Sequence, residues 1–209
     1  MSTFLAKTAV LVLTCHLALG SSTLWAASPL EEVKGVVDEV IRLLKDPALM
    51  GPAKKQERRR LIKNVVDRRF DYEEMAKRTL GVTWGRLNRA QRQEFVNLFG
   101  ELLEASYADK IEKYQDEKVV YLGEHLEGDY AEVRTMLIRR NDKIPMNYRL
   151  LNKTPWMVYD VVVEGVSLVS NYRAQFSRVI SESSYPELVK RLRNKVDELQ
   201  RMEKNNGPA

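Results

Sequence analysis

Cysteine is nearly missing from this chain. Of 209 residues only Cys15 carries a thiol, and it lies in the apolar stretch "TAVLVLTCHLAL" near the N-terminus. The remainder has no disulfide framework, no thiolate nucleophile and no cysteine-based metal site. Histidine is as scarce: His16 sits in the same stretch and His125 stands alone beyond it. That excludes metal-ligand spacing and a Ser-His-Asp order, and no glycine-rich phosphate loop is present either. Apolar runs are too short to cross a bilayer, which takes about 20 residues. Charge of one sign does not dominate, since the net charge is +5. Nucleic-acid binding calls for a far more basic composition. These absences predict a protein that works without metal or cofactor and is held together by its core.

The first 27 residues read as a secretory signal peptide. Lys7 supplies a minimal positive start, an apolar stretch follows, and small residues come next. Two cleavage sites compete, one after Ala18 and Gly20 and a preferred one after Ala26 and Ala27, just before Ser28. Lipidation at Cys15 is the weaker reading because that residue lies deep in the apolar run. Export to the periplasm follows, and residues 28–209 form a single expected domain: helical over 28–114, sheet over 118–164, and covering helices over 167–204.

Helical periodicity comes first. Ser28, Pro29 and Glu31 start a helix with Val33, Val36, Val37, Val40, Ile41 and Leu44 on one face, ending near Asp46-Pro47. A second helix carries Leu61, Ile62, Val65 and Val66 opposite a very basic face. "FDYEEMAKRTLG" predicts a short helix capped by Asp71 and ended by Gly81. From Asn88, a capping box opens the longest helix, whose stripe includes Phe95, Leu98, Phe99, Leu102, Leu103 and Tyr107. The period then changes. "KVVYLG", "YAEVRTMLIR", "MNYRLLN" and "WMVYDVVVEG" are β-branched or aromatic runs separated by turn residues, which predicts four antiparallel strands. Alternation of Ala131, Val133, Thr135 and Leu137 with Glu132 and Arg134 gives the sheet one dry face. Gly165 releases the last strand into a helix capped by Ser167, expected to fold back over the sheet, and a final helix starts at Pro186.

"FDYEEMAKRTLG", "LNRAQRQEFVNLFGELLEASYADKIEKY", "IPMNYRLL" and "PWMVYDVVVEGVSLVSNYRAQF" resemble the MlaC family, periplasmic phospholipid carriers also known as toluene-tolerance auxiliary proteins. The turn Glu164 to Ser167 followed by Asn171-Tyr172-Arg173 is the most characteristic part. The resemblance implies an α+β fold, a helical layer packed on a curved, mostly antiparallel four-stranded sheet with an apolar lipid pocket between them. It also implies a monomeric carrier that moves phospholipid between an outer-membrane lipoprotein–porin complex and an inner-membrane ABC transporter bearing an MCE-domain protein, maintaining outer-membrane lipid asymmetry. Some relatives are associated with hopanoid lipids, which makes a hopanoid or other apolar lipid the alternative ligand.

Candidate pocket walls are Phe70, Leu80, Trp84, Phe95, Phe99, Leu103, Tyr107, Tyr148, Val161, Val163, Val166, Leu168, Tyr172 and Phe176, with Gly165 as a hinge. Stripes at helical spacing commonly mean core, so periodicity alone does not separate wall from packing. Lys54, Lys55, Arg58, Arg59 and Arg60 offer a face for an anionic membrane or an acidic partner, against the plainer reading of a solvated helix face. Catalysis is the rival class, with Asp160 as base beside Tyr159 or Tyr148. Asp160 is expected to face solvent or cap a backbone group, and His125 to lie in a loop.

Overall fold

The computed structural model describes residues 27–114, 116–140 and 142–205. The signal-peptide reading and the last four residues lie outside the described residues. Helix α1 (Pro29–Lys45) begins with the expected capping box: Ser28 accepts from the Glu31 backbone, Glu31 reaches back to the Ser28 backbone, and Pro29 occupies the first turn. Two single-turn 3₁₀ segments, Pro47–Leu49 and Pro52–Lys54, lead to α2 (Lys55–Asp67). Helix α3 (Tyr72–Leu80) is capped by Asp71 and closed by Gly81 at φ 53°. A short α4 (Val82–Arg86) follows before α5 (Arg89–Glu112), which opens on the Asn88–Gln91 capping box.

The sheet corrects the expected count of four strands: it has five, all antiparallel, in the order β1-β2-β3-β4-β5. They are β1 (Lys118–Glu127), β2 (Tyr130–Arg139), β3 (Asp142–Asn152), β4 (Trp156–Val163) and β5 (Val166–Ser167). The fifth arises because Glu164 and Gly165 both take positive φ, 51° and 81°. That is the backbone of a tight two-residue hairpin, so the chain doubles back and pairs Val163 with Val166 and Val162 with Ser167 before any helix starts. His125 lies within β1 and is exposed, not in a loop.

Helices α6 (Leu168–Glu182) and α7 (Tyr185–Asn205) close the chain. Helix α6 meets the sheet at its β4–β5 end. It packs mainly on α3, while α7 packs on α5. The layer over the sheet comes from α1, which packs on β1 and β2.

Candidate functional site

Cross-strand pairing shows which side chains share the sheet's inner face. One row runs Leu126, Ala131, Leu150, Val158; the next Glu124, Val133, Tyr148, Val161; then Tyr121, Thr135, Met146, Val163; and last Val119, Leu137, Ile144. A β-bulge that leaves Tyr159 without a partner in β3 puts Val158 and Val161 on the same face. Burial grades along these rows. Ala131, Val133, Leu150 and Val158 are buried, whereas Leu137, Ile144, Met146, Val161 and Val163 are only half-buried.

The buried residues form three separate clusters. The largest joins α3 to α7 and contains Phe95, Phe99 and Phe176, whose rings stack or meet edge-on at 5.7 to 6.1 Å between centroids. A second sets Val33 of α1 against Ala131, Val133, Leu150, Trp156 and Val158. A third ties the end of α1 to α2 through Leu43, Leu49, Ile62 and Val65. A domain commonly has one contiguous core with small satellites. Here the apolar side chains bordering the clusters are half-buried: Val36, Val40 and Ile111 at the third, Tyr107, Leu168 and Tyr172 at the first, and Val37, Tyr148 and Val161 at the second, with Phe70 touching both the first and the second.

Between α1 and the sheet lies a cleft of about 10 Å³ lined by Val33, Val36, Val37, Phe70, Tyr148 and Val158, among others. It is large enough for one water-sized sphere. Its rim is polar and occupied. Glu124 accepts from the Leu30 backbone N–H at 2.6 Å, Tyr121 donates to Asp38 at 3.1 Å, and Arg69 pairs with Glu32. These contacts fasten α1 to β1 at one side and to the end of α2 at the other. Deep in the cleft, the Tyr148 hydroxyl has the Met146 sulfur at 3.2 Å as its acceptor, and burial pushes the phenol up to about 12.

Among the sequence-predicted walls, Leu80, Trp84, Phe95, Phe99, Leu103 and Phe176 are buried in the closed helical core. Tyr148, Val161 and Val163 stand on the inner face of the sheet, and Val166 extends the Val163 row at 61% exposure. Phe70, Tyr107, Leu168 and Tyr172 are half-buried at cluster borders. Gly165 occupies the hairpin. Sequence reading missed Leu137, Ile144 and Met146, whose alternation was visible but whose cross-strand partners were not.

Asp160 is 2% exposed, buried under the start of α6 on the side of the sheet opposite Val161 and Val163, and is not turned to solvent. It accepts from the Val169 backbone N–H at 3.0 Å and the Ser167 hydroxyl at 2.6 Å, and Arg149 stands at 3.3 Å. The carboxylate thus fastens β4 to the start of α6, the capping role rather than that of a base. The basic stretch is likewise turned inward. Arg58 and Arg59 each reach Glu112 at 3.0 Å, and Lys55 lies 3.6 Å from Asp109. Lys54, in the turn before α2, pairs with Glu57 of that helix, and Arg60 is exposed. No group of acidic, histidine or cysteine side chains among the described residues could hold a metal ion, and none of their helices is long and apolar enough to cross a membrane.

The intermembrane phospholipid transport system binding protein MlaC of Haemophilus influenzae is 24% identical to this chain over 147 residues, 67% of this chain and 69% of that protein. Among solved structures, the phospholipid-binding protein from Ralstonia solanacearum, in complex with a phospholipid, superposes with a TM-score of 0.74 at 25% identity, covering 83% of this chain and 99% of the other. The family model for the MlaC protein matches residues 34–194. That span runs from inside α1 to inside α7 and takes in the whole sheet with its half-buried inner face; the chain belongs to the MlaC family.

Proposed function

We propose that this protein is a periplasmic phospholipid carrier that seats acyl tails between the inner face of its sheet and the helices opposite. On this reading it moves lipid between an outer-membrane lipoprotein–porin complex and an inner-membrane ABC transporter with an MCE-domain protein. The observation that carries it is the divided core: three buried clusters bordered by half-buried apolar side chains, with a graded apolar sheet face beside them. The printed names of the two relatives, one from a phospholipid transport system and one bound to a phospholipid, support the same ligand class.

The energetics explain why such a seat is needed. At about 0.8 kcal/mol per buried methylene, a two-tailed lipid faces a barrier of order 20 kcal/mol to leave a bilayer unaided. A carrier lowers it only by offering equally dry walls. Ligand sites run to roughly 300–1,000 Å³, far above the 10 Å³ between α1 and the sheet. Loading therefore requires α1 and the sheet to part. The rim contacts are already matched to one another, which leaves the headgroup to solvent and gives broad headgroup tolerance.

Organic extraction of gently purified protein, followed by mass spectrometry, tests the reading. Phospholipid of mixed headgroup is the expected result. An extract containing hopanoid alone would redirect the ligand class, and an empty extract with no uptake from vesicles would overturn the carrier reading.

A further inference from the structure

The outer face of the same sheet has a different character. Rows on this side run Lys118, Ile138, Lys143 and then Val120, Met136, Pro145. Tyr121 and Glu124 both pair with inward residues, so Leu122 and Gly123 between them bulge outward, opposite Arg134. Val120 is 39% and Leu122 54% exposed, and Lys118, Arg134, Arg140, Lys143 and Pro145 are exposed as well. Helix α1 reaches β1 and β2 from the inner face, through Glu124 and Tyr121, and on the outer side α3 meets β2 at its far end, where Arg78 lies over the Tyr130 ring, away from the rows of Lys118 and Val120.

The solvated face of an antiparallel sheet is ordinarily polar. Here valine, leucine, isoleucine and methionine alternate with four cations near the end that carries the β2–β3 turn. Lys118, Arg134, Arg140 and Lys143 form none of the ion pairs found among the described residues, whereas Lys55, Arg58, Arg59 and Lys63 of α2 are engaged with Asp109, Glu112 and Asp67. The rows containing these cations hold no carboxylate; the nearest on this face, Glu132, is already within reach of Arg149 and Asn147.

We propose that this outer face is a docking surface for the anionic surface of a phospholipid bilayer. Long basic side chains that reach phosphates while short apolar ones lie at the interface are the usual chemistry of peripheral attachment. Protein partners are held chiefly by aromatic or arginine anchors in fitted pockets. The clefts lined by Val33 and Tyr148 and by Tyr185 and Arg193 both lie elsewhere on the protein, and an open face of exposed cations and short apolar side chains suits a fluid charged surface better. The proposal is separate from the tail seat, which lies on the opposite face.

Cosedimentation of the full protein with phosphatidylcholine vesicles containing about one third phosphatidylglycerol tests it. Binding to these but not to pure phosphatidylcholine vesicles is expected, with loss on raising salt to about 0.5 M. Each neutralised cation is worth roughly fivefold in affinity, so the pair Lys118→Gln and Lys143→Gln lowers binding about 25-fold while leaving co-purified lipid unchanged. Val120→Ser with Leu122→Ser weakens it in the same direction. Val163→Asp, on the inner face, keeps vesicle binding even as it loses carried lipid, so failure of the tail seat and failure of the docking face remain distinguishable. Wild-type protein that ignored anionic vesicles at low salt, or that bound them undiminished in both double variants, would overturn the proposal. So would selective capture of an acidic protein by this face in the absence of vesicle binding.

Discussion

Phe99 and Val163 separate wall from packing at the scale of single residues. Phe99 is fully buried, with Tyr172 edge-on at 5.3 Å and Phe95 stacked at 6.1 Å. A carboxylate there has no partner and no water. Phe99→Asp is expected to cost about 5 kcal/mol or more and to unfold the protein. Val163 is half-buried on the inner face, and Val163→Asp is expected to cost about 1 kcal/mol while abolishing lipid co-purification. Circular dichroism with lipid analysis of both variants checks this; a folded Val163→Asp that still retained lipid would remove that row from the seat. Both residues stood in the same sequence-derived set, because apolar spacing reports which side of an element is dry and not what fills the space beyond it. Asp160 shows the same limit: its type suggested chemistry, while its buried contacts with Val169 and Ser167 make it an anchor.

Helix α1 and the β4–β5 hairpin are the informative elements. The α1 stripe divides, with Leu30, Val33 and Val37 turned to the sheet and Val36, Val40, Leu43 and Leu44 to the third cluster. That makes α1 the layer that must shift for tails to enter. A bifunctional thiol reagent bridging Asp38→Cys and Tyr121→Cys, whose native side chains meet tip to tip at 3.1 Å and whose thiols the lost ring leaves too far apart for a disulfide, is expected to stop lipid uptake by folded protein without removing lipid bound beforehand. Uptake by the crosslinked form at the uncrosslinked rate would exclude α1 as the moving layer. Gly165 takes φ 81° beside Glu164 at 51°, and a β-carbon is disfavoured there. This conformation is accounted for by the hairpin, whose Glu164 N–H donates to Pro145 at 2.9 Å.

Alkaline pH tests the molecule as a whole. Burial pushes Tyr148 up to about 12, and burial with the nearby Glu94 does the same for Tyr185. Tyr72 and Tyr121 are raised by burial first and then by Asp67 and Asp38. An unfolded tyrosine titrates near about 10. The folded state therefore holds these protons longer than the unfolded chain, and stability is full below about pH 10 and falls as pH rises toward 12. Denaturant melts across that range, read beside phenolate absorbance, check the sign; stability that rose there would contradict the burial of these phenols.

The sequence by itself determined the helix starts at Ser28 and Asn88, the position of the strands, the dry alternation from Ala131 to Leu137 and the family. The helix starts and strands rest on local chemistry, a capping oxygen, a period of two or 3.6, a turn residue, and the family on the resemblance of the motifs between Phe70 and Phe176. Tertiary structure decided the rest. The fifth strand depends on two consecutive positive φ angles, the inward turn of Arg58 and Arg59 on Glu112 brought to them by α5, and the split of the α1 stripe on two surfaces, α2 and the sheet, that come from different parts of the chain. Local sequence fixes which face of an element is apolar; only packing decides whether that face closes on a neighbour or stays half-open, because the partner comes from a distant part of the chain.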